Sequence, residues 1–145
     1  MKISLERLQP AHLLEIHNSG AIEGQLGADQ VYDNWQLYKN GDAFVGKSGS
    51  KIIAAAGVMD MWPGVGEGWA MLTPDAAGLS VVRKFKEMFD LILIANNYHR
   101  IQATVRADFV KGIRFAQWLG FESEGLMKKF DQDQNDFIRM AKIGR

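Results

Sequence analysis

Apolar and polar positions alternate in two different periods along the chain, and the switches between them predict its elements. Ile3, Leu5 and Leu8 mark a short first strand. Pro10 suits the first turn of a helix running to about Asn18, because that position leaves an N–H unused anyway. Gly20, Gly24 and Gly27 loosen the next stretch. Asp29 is placed to cap a second helix with Val31, Trp35 and Tyr38 on one face, ended by Gly41. Residues 43–47 read as a strand, Ser48-Gly49-Ser50 as a tight turn, and residues 51–61 as a long apolar strand. Pro63-Gly64 and Gly66 mark another turn before a third consecutive strand at residues 67–73. Connections this short predict an antiparallel meander.

After Pro74-Asp75 the period becomes helical. Leu79, Val82, Phe85, Phe89 and Ile92 form one stripe of a helix from about Ala76 to Asn96, with Lys84, Lys86, Glu87 and Asp90 mostly on the other side. Residues 100–106 alternate again, with Ile101, Ala103 and Val105 on one face. The helical crossover predicts that this strand runs parallel to residues 67–73. Asp108 is a candidate cap for a further helix carrying Val110, Ile113 or Arg114, Phe115 and Leu119, and Gly120 stands where a left-handed residue closes a helix. Two strands, about residues 122–130 and 136–143, flank the polar hairpin loop Asp131-Gln132-Asp133-Gln134-Asn135. The order is β-α-α-β-β-β-α-β-α-β-β, and no repeat or linker divides residues 1–145, which read as one domain.

Composition narrows the classes. An apolar fraction of 47% with 23% charged residues fits a chain able to bury a core. Lys+Arg and Asp+Glu both number 17, so no global field draws the chain onto nucleic acid or anionic lipid, and any anion site is local. The absence of cysteine rules out disulfides, a thiolate nucleophile and Cys-based zinc sites. It suits a reducing, cytoplasmic compartment. Residues 1–10 contain no secretory pattern, and the apolar runs at residues 52–58 and 91–95 are too short to span a bilayer. His12 and His17 lie five apart, out of line for a shared metal, and no metal site is expected.

The element order and one segment resemble the GNAT superfamily of N-acyltransferases. The segment is Arg106-Ala107-Asp108 followed by Lys111-Gly112-Ile113-Arg114-Phe115-Ala116-Gln117-Trp118-Leu119-Gly120-Phe121-Glu122, then Glu124-Gly125. It matches the superfamily's strand, helix start and aromatic-x-x-Leu-Gly-Phe helix end. A shorter match is Asp75-Ala76-Ala77-Gly78-Leu79-Ser80, set against the cofactor loop Arg/Gln-x-x-Gly-x-Gly/Ala. The resemblance implies an α/β (α+β) fold with a mixed, mostly antiparallel central sheet flanked by helices. It implies acetyl-CoA as co-substrate and a primary amine as acceptor. The cofactor-binding residues it implies are Met71, Leu72, Thr73, Ala77, Gly78, Leu79, Ser80, Asp108, Lys111 and Phe115. In such a loop, backbone N–H groups and the helix dipole hold a pyrophosphate, and glycine permits its close approach. Asp75 would repel that phosphate unless it turns away; as an alternative it caps the long helix. Arg83, Lys84 and Lys111 are candidate compensating charges.

Glu67 stands where many superfamily members carry their general base, with a solvated strand-end carboxylate as the alternative. The resemblance places an oxyanion donor at the backbone of Met71 or Leu72, where the superfamily's strands splay. Its usual tyrosine acid is replaced by Ala116, and Tyr98 in a helix-end turn is a poor substitute. Trp62, Trp69 and Trp118 are candidates for lining an acceptor groove, or for the core. Asp60 and Glu67 beside the Pro63–Gly66 connection would suit a cationic amine. The competing class is a non-catalytic protein on the same fold. Small degenerate relatives of this kind occur in tailed bacteriophages as virion proteins, so a virion protein or a second copy is a candidate partner, in virion or host cytoplasm.

Overall fold

The computed structural model describes residues 2–18, 41–76 and 78–144. The helix expected after Asp29, with Val31, Trp35 and Tyr38, lies outside the described residues, as does Ala77. The elements are β1 (Ile3–Arg7), α1 (Pro10–Asn18), β2 (Gly41–Ser48), β3 (Lys51–Trp62), β4 (Val65–Leu72), α2 (Leu79–Ala95), β5 (Arg100–Arg106), α3 (Val110–Trp118), β6 (Glu122–Met127) and β7 (Phe137–Ile143). The strands form one seven-stranded sheet in the order β1-β2-β3-β4-β5-β7-β6.

β1 to β4 are antiparallel neighbours throughout, as the short turns require for the β2–β3 and β3–β4 pairs. The crossover through α2 brings β5 parallel to β4, and the closing hairpin inserts β7 between β5 and β6. Gly49, at φ +64°, makes the β2–β3 turn with a backbone that a side chain would strain.

Alternation along the strands divides the apolar residues between two faces. On one, α2 and α3 cover Ile53, Ala56, Val58, Ile101, Val105 and Met140. Phe85, wholly buried, and Phe89 fill the centre, with their rings edge-on to Phe115 and Phe121 at 6.2 and 5.7 Å. Each such phenylalanine contributes roughly 1.5–3 kcal/mol by leaving water. On the opposite face α1 lays Leu13 and Ile16 over Val45, Ala55 and Met71.

Several expectations are corrected. The stripe of α2 is Val81, Val82, Phe85, Met88, Phe89 and Ile92, and Leu79, the first residue of the helix, is 64% exposed. Asp75 does not cap α2. Its carboxylate pairs with Lys51 at 2.5 Å, and Gly78 is the cap residue. Asp108 does not cap α3 either. It accepts both hydrogen bonds of the Arg106 guanidinium (2.6 and 3.0 Å), and the cap position falls to Phe109. Val110 is exposed, whereas Phe115 and Leu119 are core. Gly120 takes φ +100° as expected after a helix end.

Candidate active site

β4 and β5 pair over three positions: Val65 with Arg100, Gly66 with Ile101 and Glu67 with Gln102. Beyond Glu67 the two strands part, each held on its outer side, β4 by β3 up to Leu72 and β5 by β7 up to Arg106. The result is a V-shaped gap in the middle of the sheet. Thr73 donates its backbone N–H (3.0 Å) and its hydroxyl (2.9 Å) to the carbonyl of Ile53. Thr73 therefore faces β3, and the antiparallel alternation turns Leu72, not Met71, towards the gap with its N–H and C=O. Their side chains are both buried in the core, so only backbone groups of this pair are offered there.

The start of α2 lies at the wide end of the gap, beyond the turn that follows Thr73. The Thr73 carbonyl holds that turn by accepting the Ala76 N–H at 3.0 Å. Gly78 has φ +92°, and a Cβ built on it meets nothing within 4 Å. Glycine is needed here for its backbone, and the space above it is open. The first turn of α2 contains no acidic side chain, and Asp75 has swung to Lys51. An anion approaching the free N–H groups of this helix start meets no carboxylate from that turn. Ser80 is half-buried in it. Lys111 leans from α3 towards the Thr73 carbonyl at 3.5 Å, placing one ammonium at the end of β4. The residues present fit a pyrophosphate-bearing group. Phe115 is packed in the core, and Asp108 is spent on Arg106, which holds its carboxyl below the usual range.

At the narrow end, four strands set a charged row on the α1 face. Glu67 from β4 lies beside Gln102 of β5 and receives Arg139 Nη1 from β7 at 3.4 Å, so the arginine reaches over β5 to the rim of β4. Arg100 donates to both carboxylate oxygens of Glu124 on β6 (2.9 and 2.5 Å) and, through Nε, to Gln102 at 2.9 Å. Burial pushes the Glu67 carboxyl above its ordinary 4.5, against the charge of Arg139, a hydrogen bond from Gln102 and the charge of Arg100. A carboxylate so placed is a stronger proton acceptor than a solvated one, which suits a general base.

The two acidic residues expected to flank one acceptor site are separated. Asp60 pairs with Gly66 and Glu67 with Met59, which puts the two carboxylates on opposite faces. Asp60 accepts the buried Tyr98 hydroxyl instead. Burial first, then the Asp60 hydrogen bond and charge, push the Tyr98 phenol well above its usual range, making it a poorer proton donor. Tyr98 sits in the core under α2, away from Glu67, and Ala116 is core as well. Trp69 packs partly against the α1-face cluster, whereas Trp62 and Trp118 are 57% and 60% exposed. Arg139, Arg100 and Gln102 were not singled out by the sequence, and Glu124 only as part of the segment after α3. The signal available was the polar half of β5, Arg100-x-Gln102-x-Thr104, opposite its apolar half.

No family model matches the chain, and no curated protein matches it in sequence. Solved structures do. The chain is similar to ribosomal-protein-S5-alanine acetyltransferase from Vibrio fischeri, at 19% identity over 99% of this chain and 93% of that one, with a TM-score of 0.74. It is similar to a GNAT-family acetyltransferase from Streptococcus pneumoniae, at 13% identity, coverage of 98% and 99%, and a TM-score of 0.74. It is also similar to spermidine N-acetyltransferase from Vibrio cholerae in complex with CoA and spermine, at 17% identity, coverage of 98% and 95%, and a TM-score of 0.71. The fold is therefore that of the GNAT acyltransferases.

Proposed function

We propose that the protein is an acetyl-CoA-dependent N-acetyltransferase acting on a primary amine. The observation that carries this reading is the gap between β4 and β5, with a glycine-opened helix start at its wide end and Glu67 at its narrow end. The neighbours on this fold include one solved with CoA and spermine.

In this reading the N–H groups at the start of α2, freed by Gly78 and completed by Leu79 and Ser80, hold the pyrophosphate, with Lys111 close by. The bound thioester supplies an activated acetyl group whose thiol leaves as the amide forms. The N–H of Leu72 faces the gap and polarises the acyl carbonyl. Glu67 takes the proton that an ammonium must lose before its nitrogen can attack, and later releases it to solvent. No described tyrosine reaches the gap, so the leaving thiolate is protonated by solvent, a tolerable route for a good leaving group.

Calorimetric titration with coenzyme A tests the reading. Micromolar binding is expected for the wild type and loss of binding for Gly78→Glu, whose carboxylate would point into the open space. Glu67→Gln is expected to bind coenzyme A unchanged and to lose about a hundredfold or more in acetyl transfer. A wild type indifferent to coenzyme A would overturn the reading in favour of a non-catalytic protein on this fold, and the search would turn to a virion protein or a second copy as partner.

A further inference from the structure

The two arginines of the charged row differ in how their donors are used. Arg100 commits three of its five N–H groups, to Glu124 and Gln102 at 2.5–2.9 Å. The Arg139 side chain makes one hydrogen bond among the described residues, to Glu67, and that one is long at 3.4 Å. Its side chain is 28% exposed and that of Glu67 is 21% exposed, so both are half-sunk yet reachable. A guanidinium has five donors in a flat fork that matches a carboxylate. Arg139 thus holds unused donors directly beside the carboxylate read above as the base.

That pairing sets the charge an acceptor must bring. A polyamine ammonium arriving at Glu67 would meet the positive Arg139 within the same contact, which costs affinity. A ligand with a carboxylate next to its amine meets complementary charge at both ends. In an α-amino acid the nitrogen and the nearer carboxylate oxygen are separated by two carbons, the α-carbon and the carboxyl carbon, and stand about 2.7 Å apart from the bond lengths. The Glu67–Arg139 edge is 3.4 Å. The two edges can lie antiparallel, ammonium against Glu67 and carboxylate against Arg139, as a closed ring of four alternating charges.

We propose that the acceptor is a free α-amino acid, its ammonium bound by Glu67 and its carboxylate by the open fork of Arg139. This deepens the acyl-transfer reading and rests on it. Arg139 is then the residue that determines specificity, while Glu67 handles the proton. The side chain of the acceptor would lie away from this edge, so the pair selects a class of substrate and not one member.

The experiment uses the full chain as wild type, Arg139→Gln and Arg139→Lys. Each of the twenty common amino acids is compared with its own α-amide, and spermidine is included. One readout is acetyl transfer from acetyl-CoA. The other, independent of catalysis, is an NMR titration following the Glu67 side-chain carboxyl carbon and the Arg139 side-chain N–H. At least one amino acid is expected to exceed its amide by about tenfold or more in kcat/KM, the effect of losing one charge-assisted partner. Arg139→Gln should abolish that preference, and Arg139→Lys should restore part of it. Equal or better use of amides or spermidine by the wild type would overturn the proposal while leaving acyl transfer standing. So would a preference untouched in Arg139→Gln. Absent transfer, signals of both residues that move with an amino acid, but neither with its amide nor in Arg139→Gln, would uphold the ligand site and sink the acyl-transfer reading. No transfer and no shift would overturn both.

Discussion

The two faces of the sheet are built for opposite ends. Under α2 and α3 the face is mostly apolar, and its buried lysine is paired: Lys142 Nζ donates to the Leu119 carbonyl at 2.6 Å and lies 2.9 Å from Asp90. Gly120 makes room for that ammonium, since a Cβ there would stand 2.6 Å from it. The other face is apolar beneath α1 and again at Phe137 and Ala141 of β7. From β4 to β6 it presents Glu67, Gln102, Arg100, Arg139 and Glu124, half-buried or exposed. A face whose apolar side chains are committed to the core supplies mainly stability. A face with a loosely held carboxylate and an under-used guanidinium gives up some stability and gains chemistry.

Substitutions should separate these faces, and the largest effect belongs to the packed one. Phe85 is wholly buried between β2 and α3, touching the space over Gly46 and the ring of Phe115. Phe85→Ala should cost about 3–5 kcal/mol, a large share of a single domain's stability, read as a fall in the denaturant midpoint at unchanged slope. Bound coenzyme A should restore part of the loss by mass action without touching the cavity. A loss below about 1 kcal/mol would mean that the helical face does not carry the fold.

A smaller effect tests whether the buried lysine is a clasp. Lys142→Met keeps the volume but leaves the last carbonyl of α3 without its donor and Asp90 with Lys86 alone. The expected cost is about 1–3 kcal/mol by thermal or chemical unfolding, with coenzyme A affinity unchanged. An equal loss of affinity would show that α3 orientation reaches the gap.

How much of this contrast can be read in the sequence depends on how local its causes are. The meander, the two helices after Pro74 and the closing hairpin follow from period changes and from Ser48-Gly49-Ser50, Pro63-Gly64 and Gly120, whose effects act within a few residues. The helix caps were less legible, because Asp75 and Asp108 each had a competing partner: Lys51 at the start of the neighbouring strand β3, and Arg106 two residues back. A side chain that can cap or pair gives the same signal for both. The placement of Asp60 and Glu67 needed the β3–β4 register, which an irregularity between Asp60 and Trp62 shifts. Arg139 was invisible for a topological reason. It sits inside an apolar run, and only the insertion of β7 beside β5 carries it within reach of Glu67.

The finest test uses pH, where the two faces have opposite signs. Burial alone would raise the Asp90 carboxyl, but hydrogen bonds from Lys142 and Lys86 outweigh it and hold it below its ordinary 3.8. A depressed folded value means that Asp90 contributes stability above that ordinary value and loses it as pH falls through the folded one. Glu67 is raised above its ordinary 4.5. Its contribution is complete below that value and is lost as pH rises through the folded one. Asp90→Asn should therefore flatten the acid limb of the stability curve below pH 3.8, and Glu67→Gln should flatten the decline that begins above pH 4.5. Each change should stay below about 1 kcal/mol, since solvent reaches both groups. Unfolding curves of the two variants across that range check it. Slopes altered in the same direction would mean that Glu67 is held as tightly as Asp90, leaving no reason to read the open face as the reactive one.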